Sequence, residues 1–593
     1  MTAIAIHRFH ARYRLASGAA GQRERLQRIL AEVLDSGLEA AVGQSGIDTA
    51  GELCIREVNA LARLNLGASD AELAAQLALA IAAAIQREAG RRGEDLVRYG
   101  SRAHALIDLA LAAMAGDFTR AWAWRRLGLW EAPATAPATV STAESTSVST
   151  ADAVRLVLRA LTAEPRYATA ALTHLARHTR LFERLLEHAS PSQWQGLSAA
   201  VVRTIGVNVD VLLPLAQERV PSNHPSVVQS SRTAIRSQVE TARRLVRRSV
   251  IARAAAASGK TGWAAGPQRR LPETPVALAA LAVCEIEPAL LCAPLDHARA
   301  LVHAVATELV ALAGFQAAAG RDPERVSRKS DQFRMESSPP DPLSHLPFPR
   351  TPGEGAPPPK RSEIKGEGGF PLSRRGVGGR WERGPGGEDS ARGTFETPSE
   401  ATRGTHNVPE PSLDQLPASG HPLPEVRRRA STRFGGLLYL IHLADRLALA
   451  ERIVQEPRLA ERSPRWCLHQ LAMALVAVPA SDPAALAFAG LLPDNEPPCE
   501  DQPAPTESET AVIAELRGEL LQELRELLDR PADAEAALVD FVCRRTAEIV
   551  ADPGWLDVRF SLDDVRTEIR AAGLDLDPGW VPWLGLVIRF VYV

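Results

Sequence analysis

The chain has 593 residues, of which 45% are hydrophobic, 23% charged and only 5% aromatic; 68 basic side chains oppose 71 acidic ones, for a net charge of -3. This is a globular composition with room for several domains, and its charge balance excludes bulk electrostatic capture of nucleic acid or anionic lipid. The six cysteines form no C-x-x-C pair and read as reduced thiols of a cytoplasmic protein, while the opening MTAIAIHRFHARYRL lacks the apolar block of a signal peptide.

Residues 3–15 read as a strand, with Phe9, Ala11, Tyr13 and Leu15 on one face. A helix follows over 22–42, with Leu26, Ile29, Leu30 and Val33 at helical spacing. In ELCIREVNALARLNLG (Glu52 to Gly67), Leu53 and Ile55 share a face; Val58, Ala60, Ala62, Leu64 and Leu66 share one after a slip in phase that predicts a bulge. Ser69 and Glu72 spell a capping box for a helix with Leu73, Leu77, Ile81 and Ile85 as its stripe and Gly90 at its end. That apolar helix is interrupted by Gln76 and Gln86 and is short for a membrane span. Residues 1–130 are thus expected to form a β-α-β-α unit followed by a helix and a segment carrying Trp122, Trp124 and Trp130.

An Ala/Ser/Thr/Pro linker occupies 131–149, and 150–320 reads as helical, broken at Glu164-Pro165. Residues 321–428 are dense in Pro, Gly and Arg; they cannot bury enough apolar surface to offset chain entropy and are expected to be a disordered insertion. A helical region at 429–493 and a linker at 494–510 lead to 511–593, read as helices and a C-terminal β-α-β unit. Its first helix carries the stripe Ile513, Leu516, Leu520, Leu524 and Leu527. Ser561 caps the last helix, with Asp563 and Asp564 in the positive first turn and Val565 and Ile569 facing inward. The final residues alternate: Leu586, Ile588, Phe590 and Tyr592 on one face, Val587, Val591 and Val593 on the other. They predict a buried strand that completes a sheet, with the N-terminal unit as one candidate partner. The fold class is mainly α with small α+β units at both ends, multi-part, with a long disordered insertion.

Few residues invite chemistry. SGKTG (Ser258–Gly262) resembles a phosphate loop, but the required upstream glycine is Ala254 and an Arg-rich helix stands where a strand is needed. His174 and His178 have i, i+4 spacing without a clear third ligand, and read as helix-end histidines. The basic run Arg244–Lys260 lacks interleaved aromatics and reads as a solvated helical face. Asp575 and Asp577 fit turn and cap chemistry better than catalysis. DPGW occurs twice, at Asp552–Trp555 and Asp577–Trp580, each Pro-Gly turn delivering a tryptophan to the start of a segment leading to a strand. No catalytic residue, cofactor or metal is assigned. The structural or interaction candidates are Trp122, Trp124, Trp130, Trp555, Asp575, Asp577, Pro578, Gly579, Trp580, Phe590 and Tyr592, with the tryptophan cluster and the helix over 511–529 as candidate docking surfaces.

The order strand, helix, ELCIREVNALARLNLG, capped helix and YGSRAHALIDLALAAMAGDFTRAWAW resembles the N-terminal region of the contractile injection system tape measure family. RFGGLLYLIHLADRLALAE (Arg433–Glu451) is similar to that family's Gly-Gly-apolar helix. The closing run LDVRFSLDDVRTEIRAAGLDLDPGWVPWLGLVIRFVYV resembles its C-terminal segment through Gly573, Leu574, Asp575, Asp577, Pro578, Gly579, Trp580, Pro582 and Gly585. The resemblance covers about 3–130 and 430–593, with a weaker match at 150–190. It implies a non-enzymatic tape measure or scaffold of a phage-tail-like particle, with tail-tube, baseplate or other particle proteins as partners, no nucleic acid and no membrane. Homo-oligomers are compatible with it, as are a cytoplasmic location during assembly and retention in the particle. The alternative is a helical adaptor for protein partners unrelated to tails. Two departures stand out: the 321–428 tract is foreign to the family pattern, and 43 prolines with two linkers are incompatible with one continuous helical rod.

Overall fold

The computed structural model describes residues 4–6, 9–14, 20–45, 51–90, 95–130, 148–207, 228–258, 271–319, 427–498, 502–531 and 534–593. Most of the 131–149 linker, the SGKTG stretch beyond Ser258 and the 321–428 tract up to Arg427 lie outside them. The described residues are mainly helical, with a two-stranded ribbon and a five-stranded sheet.

Near the N-terminus, helices Ala20–Glu32 and Leu38–Gln44 pack with helix Asp70–Ala89 around Ile29, Val33, Leu38 and Leu73. The capping box forms as spelled: Ser69 N–H donates to Glu72 Oε2 at 3.0 Å and Glu72 N–H donates to Ser69 Oγ at 3.3 Å. Strand β1 (Glu52–Ile55) pairs antiparallel with β2 (Leu96–Tyr99), Cys54 facing Val97. Two expectations fail here. Residues 9–14 and 57–66 are not in strands, although their apolar residues alternate. Alternation favours an extended chain, but a strand also needs a neighbour to take its backbone N–H and C=O groups, and these segments have none among the described residues.

Helices Arg102–Ala115, Thr150–Ala163, Pro165–Arg177, Pro191–Thr204 and Glu273–Ile286 build one contiguous core with Phe182 and Trp194 at its centre. Pro165 starts its helix at the first position, where its missing N–H costs nothing. Glu273–Ile286 is apolar all round and accordingly buried on all sides. The stretch Leu295–Phe315 is long and apolar enough to cross a membrane by length and composition; it lies against helices Val228–Arg248 and Glu273–Ile286.

The sheet has the order β3-β4-β5-β7-β6: Arg428–Thr432, Ala547–Asp552, Trp555–Phe560, Leu586–Tyr592 and Gly579–Val581. β7 runs parallel to β5 and antiparallel to β6. The last strand therefore completes a sheet of its own half of the chain and does not join the N-terminal ribbon. The region expected to be disordered gives up its last two residues: Arg428 opens the edge strand β3, and Arg427 precedes it in a buried ion pair described below. One face of the sheet (Leu556, Val558, Phe560, Ile588, Phe590) covers a second core built by helices Pro464–Val476, Pro483–Phe488, Glu507–Leu527 and Glu535–Cys543. The opposite face offers Trp555, Trp580 and Val587 to the first core. The expected helix after β5 is broken. Leu562–Asp564 is a single tight turn, Val565 and Arg566 are extended, and only Thr567–Ala571 is α-helical. Ile569 is buried, but Val565 is 36% exposed rather than inward, because the extended pair rotates it out of phase.

The Gly-Gly pair at Gly435–Gly436 is required by close approach. A Cβ on Gly435 would stand 2.4 Å from Ala547 Cβ, and one on Gly436 would stand 2.0 Å from the Val542 carbonyl oxygen. Gly435 N–H donates to the Arg545 carbonyl at 2.8 Å, stitching this segment to the chain entering β4. Gly436→Ala should therefore destabilise the sheet half by about 3 kcal/mol, the upper range for overpacking, because the obstacle is backbone. A lowered midpoint in urea or thermal melts checks this; Gly518→Ala, mid-helix and with nothing within 4 Å of its Cβ, serves as the control and should raise the midpoint slightly, by up to about 1 kcal/mol.

Candidate functional site

The candidate residues fall into polar nodes, each built around a carboxylate or a backbone carbonyl. The first centres on Asp108, 1% exposed in the middle of helix Arg102–Ala115. Tyr99 Oη and Trp124 Nε1 each donate to Asp108 Oδ2 at 2.9 Å. Arg120 clamps the carboxylate from Nε at 3.0 Å and Nη2 at 2.6 Å. Burial, and then the Asp108 charge, push the Tyr99 hydroxyl far above its ordinary value, so it stays a donor. Trp130 stacks on Trp124 with ring centroids 6.1 Å apart, meets Phe118 edge-on and receives the Arg125 guanidinium at 4.7 Å. Trp124 is fully buried, while Trp122 and Trp130 are half-buried against the same core. Trp124 therefore belongs to the core, and Trp122 and Trp130 are the members of the cluster that keep some exposed surface.

The first DPGW forms the β4–β5 hairpin. Asp552 pairs with Trp555 across the turn, and Gly554 sits at φ +74°, as the second central residue of a Pro-Gly turn requires. Asp552, 1% exposed, is clamped by Arg427 through Nη2 to Oδ2 at 2.9 Å and Nε to Oδ1 at 3.3 Å; the same Nη2 donates to the Gly100 carbonyl at 2.7 Å. Trp555 Nε1 donates to Asp557 Oδ1 at 2.8 Å, an oxygen shared with Arg589 Nε at 3.0 Å. The Arg589 guanidinium lies 4.7 Å over the Trp555 ring, and Tyr167 meets that ring at 6.0 Å.

The second DPGW does a different job. It makes no hairpin; Gly579, at φ +68°, begins the edge strand β6 directly after Pro578. Asp577 Oδ1 accepts the Phe590 backbone N–H at 2.7 Å. Trp580 Nε1 donates to the Thr204 carbonyl at 2.8 Å, tying the sheet to the end of helix Pro191–Thr204. Asp575, buried, accepts from Arg570 Nε at 3.0 Å and Tyr592 Oη at 3.2 Å; Tyr592 Oη also meets Tyr439 Oη at 2.8 Å. Burial first, and then the hydrogen bond to Tyr592, push the Tyr439 hydroxyl up. Phe590 stands edge-on to Tyr439 at 5.0 Å and to Phe560 at 6.0 Å.

The other sequence candidates also resolve into structure. His178 closes helix Pro165–Arg177, and His174 is half-buried, its imidazole pushed down to about 4 by burial and then by Arg177. Arg243, just before the basic run, pairs with Glu308, and within the run Arg244 donates to the Glu461 carbonyl at 3.3 Å. The stripe of helix Glu507–Leu527 is core, with Leu520, Leu521 and Leu524 fully buried, so it is no free docking face.

Two features escaped the sequence reading. Arg462 embraces Glu509 through Nε at 2.7 Å and Nη2 at 3.0 Å, caps the Pro503 and Ala504 carbonyls, and lies 4.3 Å over Trp466. Partners 47 residues apart leave no local signal. A cleft of about 420 Å³ is lined by Arg248, Glu287, Arg465, Asp494, Asn495 and Glu496. Burial raises Glu287 above the usual carboxylate range, against the pull of Arg465; Glu287 also accepts the Arg465 backbone N–H at 3.3 Å, and Asp494 pairs with Arg428 at 2.8 Å.

Comparison with protein-family models, with curated proteins and with solved structures found no match for the chain.

Two outcomes are expected from these nodes. Asp108→Ala removes the carboxylate that Arg120 clamps and strands the buried Tyr99 and Trp124 donors, and should cost about 3–5 kcal/mol, read as a fall in the denaturation midpoint. The Glu509 carboxyl is held down to about 2, from an ordinary 4.5, chiefly by Arg462. A depressed carboxyl contributes fully above its unfolded value and loses that contribution as pH falls through the folded one. The wild type should therefore lose stability between pH 4.5 and 2, and Arg462→Met should show a smaller loss across that same window when melts are compared.

Proposed function

We propose that this chain is a non-enzymatic assembly protein, a tape measure or scaffold, of a contractile, phage-tail-like injection system. The reading rests on the resemblance carried by Gly435–Gly436 and by the run from Gly573 to Gly585. It is supported by the work those residues do: Gly436 permits a backbone contact, Asp575 and Asp577 brace Tyr592 and Phe590, and Trp580 reaches Thr204.

The observation that carries the choice within this reading is the bond from Trp580 to Thr204, which joins residues 376 apart in sequence. A ruler converts chain length into distance, at about 1.5 Å per helical residue. Residues tied back on one another in a shared core do not. Scaffolding or termination of the tube and baseplate is therefore the favoured form of the assembly role, with particle proteins as partners during assembly in the cytoplasm.

Electron microscopy of particles made with the gene deleted, intact, or lengthened by a duplicated 150–319 segment tests this. Loss of assembly on deletion with unchanged length on duplication is expected. Particles that lengthen with the duplication would make the protein a ruler, and normal particles without the gene would overturn the assembly role in favour of an adaptor unrelated to tails.

A further inference from the structure

We infer that the segment Glu57 to Leu66 is a strand held ready for a second copy of this chain. It runs between two fixed points. At one end Arg56 N–H donates to the Asp95 carbonyl at 2.8 Å, continuing the β1–β2 ribbon. At the other, Arg25 Nη1 donates to the Leu66 carbonyl at 2.8 Å, Nη2 donates to the Ala68 carbonyl at 2.7 Å, and Nε meets Asp70 at 2.6 Å. Leu64 is anchored on the helical cluster below. Between these anchors no backbone N–H or C=O from Glu57 to Leu64 has a backbone partner among the described residues. Leu61 is 86% exposed. A strap of about ten residues with its ends tied, and with no backbone partner for Glu57 to Leu64 among the described residues, has already lost part of the freedom that strand addition would otherwise cost.

The order of its side chains selects the occupant. Antiparallel pairing about a two-fold axis through Ala60 sets Val58 opposite Ala62 and Asn59 opposite Leu61. It also sets Glu57 of each copy opposite Arg63 of the other, at both ends of the contact. Opposite charges facing across antiparallel strands are favourable, and like charges are not. Neither Glu57 nor Arg63 has an ion-pair partner within its own copy among the described residues; Glu57 only accepts from Asn59 Nδ2 at 3.0 Å. The contact is self-complementary, so the two copies pair as an isologous dimer. This inference is independent of the assembly role.

Cysteine placement tests the register directly in the full chain. On the two-fold axis, Ala60→Cys faces its own copy at strand-pair distance, within reach of a disulfide. With Cys292, which is partly exposed, and Cys499 replaced by serine in every variant, it should give under mild oxidation a covalent dimer absent from the parent, whose remaining cysteines at 54, 284, 467 and 543 are buried. Val58→Cys and Ala62→Cys should each cross-link poorly alone and efficiently when mixed. In sedimentation, Glu57→Arg should weaken dimerisation by about tenfold or more, and Glu57→Arg with Arg63→Glu should restore it. A chain that stays monomeric at about 100 µM, where even micromolar affinity would show, overturns the inference. So does cross-linking that is equal at positions 58, 60 and 62, or a double charge swap that restores nothing.

Discussion

The structure depends on the insertion of β7 between β5 and β6. A strand in that position is paired along both edges and covered on both faces, so its side chains must serve two cores at once. Leu586, Ile588 and Phe590 serve the C-terminal core, and Val587 serves the N-terminal one. Pairing in parallel with β5 forbids a tight hairpin between them and forces the crossover through Thr567–Ala571 and β6. Every other feature of the sheet half, from the Gly435–Gly436 contact to the hairpin at Gly554, brings β3, β4 and β5 into position to receive it.

Within each half, buried charges add to apolar contact. Asp108, Asp552, Asp557 and Asp575 are each nearly inaccessible to solvent, and each is met by an arginine together with an aromatic donor or a second polar contact. Such groups add little net stability over a well-packed apolar replacement, but removing one partner strands the other, so they penalise mispacked alternatives. Arg427 shows the economy of the arrangement: one guanidinium ties the turn after β4 to the Gly100 carbonyl beside β2.

Much of the local structure was legible from neighbouring residues. Ser69 and Glu72, Pro165, the Pro-Gly turn before Trp555, and the alternation from Leu586 to Tyr592 all act within a few positions, and each forms as its chemistry requires. The candidate site was legible as a set of residues but not as an arrangement. The two DPGW copies look alike in sequence, yet one makes a hairpin and the other starts an edge strand, because the strand after each turn has a different pairing partner. Residues 9–14 and 57–66 show the reverse error: the apolar alternation is present, but neither segment pairs in a sheet among the described residues.

By itself, then, the sequence determined most of the helical segments, several of their caps and breaks, which face of the last strand is apolar, and that Asp, Trp and Gly would cluster near the C-terminus. These properties arise from interactions that decay within one or two turns of chain. Only the tertiary structure decided that β7 pairs with β5 rather than with the N-terminal ribbon, that Arg428 opens the sheet, that Arg427 meets Asp552 and Arg462 meets Glu509, and that Trp124 and the stripe of helix Glu507–Leu527 face inward. Those choices rest on contacts between residues tens to hundreds of positions apart. Their energies depend on burial, which no single segment possesses until the others have closed around it.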